Sequence, residues 1–99
     1  MKIKLFCALG MSTGMLVKKM REAAEKKGLD VFIEAYPEPS MATETNDCDI
    51  ALLGPQVGFK LGAAKEICEP KNIPIDVIPM QDYGMMNGEK ILDFALSLK

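Results

Sequence analysis

Apolar and polar positions follow two rhythms along this chain, and together they predict four strands separated by helices. Lys2 to Cys7 alternates and ends apolar, the pattern of a short buried strand. Beyond Gly10 to Gly14, the residues Leu16, Val17, Met20, Ala23 and Ala24 keep a helical period. Lys18, Lys19, Arg21, Glu22, Glu25 and Lys26 occupy the opposite face. Ser12 or Thr13 can cap this helix and Gly28 can end it. Val31 to Tyr36 reads as a second strand, and its Glu34 suits the edge of a sheet. Pro37 to Asn46 holds two prolines and several polar residues, so it reads as a loop or at most a short helix. Ile50 to Leu53 is a continuous apolar run, the most buried strand, stopped by Gly54-Pro55. Val57 to Glu69 carries Leu61, Ala64 and Cys68 on one side and is ended by Pro70. Ile75 to Ile78 is a fourth strand, with Asp76 again suited to an edge. Pro79 to Met86 reads as a loop into a last helix, capped by Asn87, with Ile91, Leu92, Ala95 and Leu98 inward.

Strands alternating with helices predict parallel pairing through right-handed crossovers. The expected fold is therefore an α/β three-layer sandwich, a four-stranded parallel sheet flanked by helices. It would be flavodoxin-like, or like the low-molecular-weight phosphatases. The charges on strands 2 and 4 put those at the edges and strands 1 and 3 in the centre, giving the order 2-1-3-4. Such a sheet has its topological switch point between strands 1 and 3, and ligands bind there outside the carboxyl ends. The segments delivered to that point are Cys7 to Thr13 and Gly54 to Val57.

Composition narrows the chemistry more than the fold. Ninety-nine residues suit a single domain, 1–99, with no room for a second core. A net charge of −2 leaves no basic stripe for nucleic acid and no cationic face for a membrane surface. No apolar run is long enough to span a bilayer. The N-terminal segment begins like a signal peptide, but it meets Gly10, Ser12 and Thr13 and then a charged helix, so it reads as a strand. Cys7, Cys48 and Cys68 are odd in number and widely spaced, which speaks against a disulfide framework or a zinc site and fits a reducing cytoplasm. No metal or cofactor is expected. There is no histidine, so any imidazole chemistry has to come from a partner.

Cys7 ends strand 1, and Ala8, Leu9, Gly10, Met11, Ser12, Thr13 and Gly14 lead into a helix. A helix start leaves backbone N–H groups unpaired and carries positive partial charge, so it draws anions. Gly10 and Gly14 would let successive N–H groups face one centre, and the Ser12 and Thr13 hydroxyls could add hydrogen bonds, although capping alone accounts for one of them. The same field would favour the thiolate of Cys7 and lower its pKa below about 8.5. A nucleophile inside an anion cradle is what phosphoryl transfer requires. Taken alone, Cys7 could be an ordinary buried strand-end residue, the reading that holds for Cys48 and Cys68. For Cys7 the coincidence of strand end, loop glycines and helix start favours the functional one.

Competing motifs fall away on chemistry. Gly10-Met11-Ser12-Thr13-Gly14 matches the Gly-x-Ser-x-Gly elbow of serine hydrolases, but that mechanism needs a histidine. A low-molecular-weight cysteine phosphatase would need Cys-x5-Arg. Here Thr13 stands six residues after Cys7, and Arg21 lies about two turns into the helix. Without that arginine the phosphoryl intermediate should hydrolyse poorly, which suits a carrier rather than a hydrolase. The further alternative is a non-catalytic binding module of flavodoxin-like architecture.

Several stretches resemble the B component of bacterial sugar phosphotransferase systems of the lactose/cellobiose type: Leu5-Phe6-Cys7, Gly10-Met11-Ser12-Thr13, Ile33-Glu34-Ala35, Leu52-Leu53-Gly54-Pro55-Gln56 and Tyr83-Gly84. The resemblance implies that Cys7 accepts a phosphoryl group from a phosphohistidine on the IIA component. It would pass the group to a sugar bound by the membrane IIC component, for instance a β-linked disaccharide such as cellobiose, chitobiose or lactose. It also implies a cytoplasmic protein recruited to the inner face of the membrane by IIC. Ala8-Leu9 stands where a small polar residue and alanine are common, and Gly14 where serine is frequent. These departures leave the sugar open. Gln56 and Tyr83 either flank the site or are plain loop residues. Met11, Met15, Met80, Met85 and Met86 either form a docking surface for successive partners or fill ordinary gaps.

Overall fold

The computed structural model describes residues 1–8 and 13–99, Thr13 by its backbone alone. Four strands alternate with helices: β1 Lys2–Cys7, α1 Thr13–Lys26, β2 Phe32–Pro37, α2 Met41–Glu44, β3 Ile50–Leu53, α3 Leu61–Cys68, β4 Ile75–Val77, α4 Met80–Gly84 and α5 Gly88–Ser97. All pairings are parallel and the sheet order is β2-β1-β3-β4, as the edge charges predict. In register, Cys7 stands beside Pro37, while Phe6 stands between Tyr36 and Leu53.

Successive strand side chains point to opposite faces, and this period of two divides the core. Ile3, Leu5 and Cys7 of β1 face α1 and α5, and they pack with Leu16, Met20, Ile91 and Leu92. Phe6, Ala51 and Leu53 face the other way, onto Met41, Ala64 and Cys68. Helices thus cover both faces, and the expected three-layer sandwich is present.

The charge on central β1 is what strand patterning left unexplained. Lys4 is 5% exposed. Its stem lies on the α2 side, where Nζ donates to Glu44 O at 3.0 Å and to Glu44 Oε1 at 3.3 Å. The amine also sits 5.1 Å from the centroid of the Tyr36 ring. A buried ammonium is tolerable only when paired and hydrogen-bonded in this way.

Three expectations need correction. Val57 to Glu69 is not one helix: Pro55–Lys60 winds as a 3₁₀ turn, Val57 leaves helical geometry with φ −116°, and α3 starts only at Leu61. Proline at the start fixes a tight turn, and an α-helix follows where Ala and Leu allow it. Pro79 to Met86 is not a plain loop, because Met80–Gly84 forms α4 behind Pro79. The second strand runs one residue later than expected and takes in Pro37, which an edge position tolerates. The Asn87 cap is present, its Oδ1 accepting from the Lys90 N–H at 3.1 Å.

Candidate functional site at the carboxyl end of the sheet

Cys7 is the last residue of β1, at the switch point where the chain leaves β1 toward α1 on one face and neighbouring β3 toward α3 on the other. Its neighbour across the sheet is fixed by backbone: the Gly54 N–H donates to Phe6 O at 2.8 Å, tying the ends of β1 and β3 together. A Cβ placed on Gly54 would stand 2.9 Å from Cys7 Sγ and 3.1 Å from Gln56 Oε1. Glycine is therefore required at this close approach, and the thiol and the Gln56 amide flank one point. Cys7 is only 2% exposed, yet it lines a cleft of about 260 Å³ together with Ala8, Pro37, Glu38, Val57 and Lys60.

The remaining expected site residues divide into three groups. Leu9, Gly10, Met11 and Ser12 lie outside the described residues, as does the Thr13 side chain, so the expected ring of loop amides and both hydroxyls fall there too. Ala8 is exposed beside the cleft. Gly14 is the second residue of α1, with no described atom within 4 Å of where a Cβ would stand and no positive φ, so it needs no special conformation. Gln56 is exposed at the site. Tyr83 lies on α4, half-buried against the core cluster that contains Cys7. Met15, Met80 and Met85 are exposed at 55%, 70% and 71%, all in segments after strand ends. Two cleft residues escaped the sequence reading. Glu38 and Lys60 are 22 positions apart, and their 2.8 Å ion pair joins the turn after β2 to the turn after β3.

Of the other two cysteines, Cys68 is buried and Cys48 half-buried. Cys48 donates to Ile50 O at 3.2 Å, and burial pushes its pKa up to about 11, opposed by the nearby Lys4 charge. Burial raises Cys68 as well, against the pull of Lys71. Arg21 is committed elsewhere. Its guanidinium donates twice to Ile33 O, at 2.9 and 2.7 Å, and reaches Glu34 Oε2 at 3.1 Å. It braces α1 on β2 and is not a phosphate clamp. Among the described residues no group of three or more His, Cys, Asp or Glu side chains could hold a metal ion, and no helix is long and apolar enough to cross a membrane.

Residues 2–94 match the family model described as "PTS system, Lactose/Cellobiose specific IIB subunit". The chain belongs to that family. IIB subunits are sugar phosphotransferase components of the phosphotransferase system. Among the relatives, this chain is 45% identical to the galactose-specific EIIB component of Lactococcus lactis subsp. cremoris, over 97% of its own length and 94% of the relative's. It is equally identical, with the same coverage, to the cellobiose-specific EIIB component of Lactococcus lactis subsp. lactis. The solution structure of a cellobiose-specific IIB component from Borrelia burgdorferi superposes with a TM-score of 0.77 at 37% identity, covering 99% of this chain and 92% of that one. Equal identity to IIB components named for two different sugars means that overall similarity does not name the sugar handled here.

Proposed function

We propose that this IIB subunit is a phosphoryl carrier and that Cys7 holds the phosphoryl group. In the first step the Cys7 thiolate attacks phosphorus of a phosphohistidine on IIA. An S–P bond forms, the N–P bond breaks, and the imidazole leaves. In the second step a hydroxyl of a sugar bound by IIC attacks the same phosphorus. The S–P bond breaks, the thiolate leaves, and the hydroxyl proton passes to a base beside the sugar. The sugar class in this reading is a β-linked disaccharide such as cellobiose, chitobiose or lactose, in keeping with the family's lactose/cellobiose description and with a cellobiose-specific relative. The chain would work as one IIB domain over residues 1–99 on the cytoplasmic side of the membrane, recruited there by IIC.

The observation that carries the reading is the position of Cys7. It ends a central strand at the switch point, lines the cleft there, and precedes the start of the 14-residue helix α1. Such a helix start favours an anion held at its N–H groups. Ala8 to Gly14, from the strand end into the first turn of α1, would supply those groups, with Gln56 and Tyr83 at the margin. The engagement of Arg21 with β2 supports a carrier over a phosphatase, since no guanidinium is left to stabilise hydrolysis of the intermediate. Exposed Met15, Met80 and Met85 offer adaptable contacts for two partners met in turn.

The test is incubation with phosphorylated IIA followed by intact-mass and peptide analysis. One added phosphoryl group on Cys7, lost in Cys7→Ser together with sugar phosphorylation, is the expected result. Label on any other residue would refute the assignment.

A further inference from the structure

We propose that Lys60 is a charge-balancing residue of the Cys7 cleft, neutralising Glu38 so that a phosphoryl dianion can enter; this rests on the reading that Cys7 carries that group. Among the described residues lining the cleft, Glu38 is the one acid and Lys60 the one cation. The Glu38 side chain is 18% exposed, so its carboxylate is largely withdrawn from water at the entrance to the site. Left alone, that charge would repel an arriving dianion through a poorly screened path. Lys60 Nζ stands 2.8 Å from Glu38 Oε1, close enough to offset the carboxylate's charge within the cleft wall. With the Lys60 side chain 43% exposed, the pair adds little to folding stability, and its place in the cleft wall is better accounted for by the charge of the cleft.

Lys60 acts here through Glu38, as a positioning residue for charge rather than a group that touches phosphorus. The measurement is an equilibrium one. Wild type, Lys60→Gln, Lys60→Arg, Glu38→Gln and the Lys60→Gln/Glu38→Gln double variant are mixed with phosphorylated IIA at a fixed ratio until the phosphorylated fraction is constant, with circular dichroism as a check of folding. The equilibrium constant does not depend on how tightly IIA docks, so a mere docking role leaves it unchanged. Lys60→Gln should lower the constant by about five- to tenfold, and the deficit should shrink at high salt. Lys60→Arg should hold the wild-type value, and the double variant should return to within about twofold of it. An unchanged constant in Lys60→Gln overturns the proposal, and so does a deficit that Glu38→Gln fails to rescue. Absence of label on Cys7 in wild type and all variants alike overturns the carrier reading itself, a pattern distinct from either.

Discussion

Gly54 leaves bare backbone against the Cys7 thiol: a methyl group there would come within 2.9 Å of Sγ and 3.3 Å of Cys7 Cβ. Cys7 ends β1 and Gly54 follows the last residue of β3, with the Gly54 N–H already bonded to Phe6 O, so neither can step aside cheaply. Gly54→Ala should therefore push the thiol out of place. The expected outcome is a chain that still folds, weakened by about 1–3 kcal/mol as for other overpacked sites, with phosphoryl acceptance reduced at least as severely as stability. Urea denaturation and intact-mass labelling of the same preparation check both halves.

Gly88 is the tighter contact. A Cβ there would meet the backbone of α1 at 2.5 Å from Lys19 C and 2.7 Å from Lys19 O, and helix backbone does not yield like a side chain. Gly88→Ala should cost more stability than Gly54→Ala, about 2–4 kcal/mol, although alanine is the better helix former. The midpoint of urea unfolding measures it. A variant as stable as wild type would contradict the packing of α5 on α1.

Lys4 offers a contrast between charge and volume. Replacing a buried ion by an apolar side chain of similar size is often neutral, whereas truncation leaves a cavity. Lys4→Met should fall within about 1 kcal/mol of wild type, while Lys4→Ala should lose about 2–3 kcal/mol. Chemical denaturation of the two variants in parallel decides between them.

Cys48 makes a pH prediction. Its pKa rises from 9.0 to about 11 on folding, because burial disfavours the thiolate. The folded chain then binds the proton more tightly than the unfolded chain does. The corresponding stability is fully present below pH 9.0 and is lost as pH climbs toward about 11. Cys48→Ala should flatten this alkaline decline in a series of thermal melts. Unchanged slopes in the two proteins would rule it out.

Much of this arrangement was legible in the residues. Glu34 and Asp76 marked the edge strands correctly, because a charge on an edge finds water or a neighbour: Glu34 meets Arg21, and Asp76 Oδ1 accepts from the Val77 N–H at 2.7 Å. Parity along β1 then sent Cys7 to the same face as Leu5 and Ile3. Lys4 broke the rule that central strands are apolar, since its partner Glu44 is 40 residues away and no local pattern announces it. The helix Met80–Gly84 hid behind a proline and a methionine-rich stretch without a clear apolar stripe. Glu38 and Lys60 were invisible for the same reason as Lys4: each looks like a solvated charge until the turns after β2 and β3 are brought together. At the candidate site, Cys7 and Gln56 could be placed from strand ends alone, whereas the cleft wall depended on tertiary contact.

The seating of α5 on α1 through Gly88 also sets an order of events during synthesis. Residues that complete the first helix's bed leave the ribosome long after that helix does, so a partly made chain carries the thiol without the surface that positions the helix next to it.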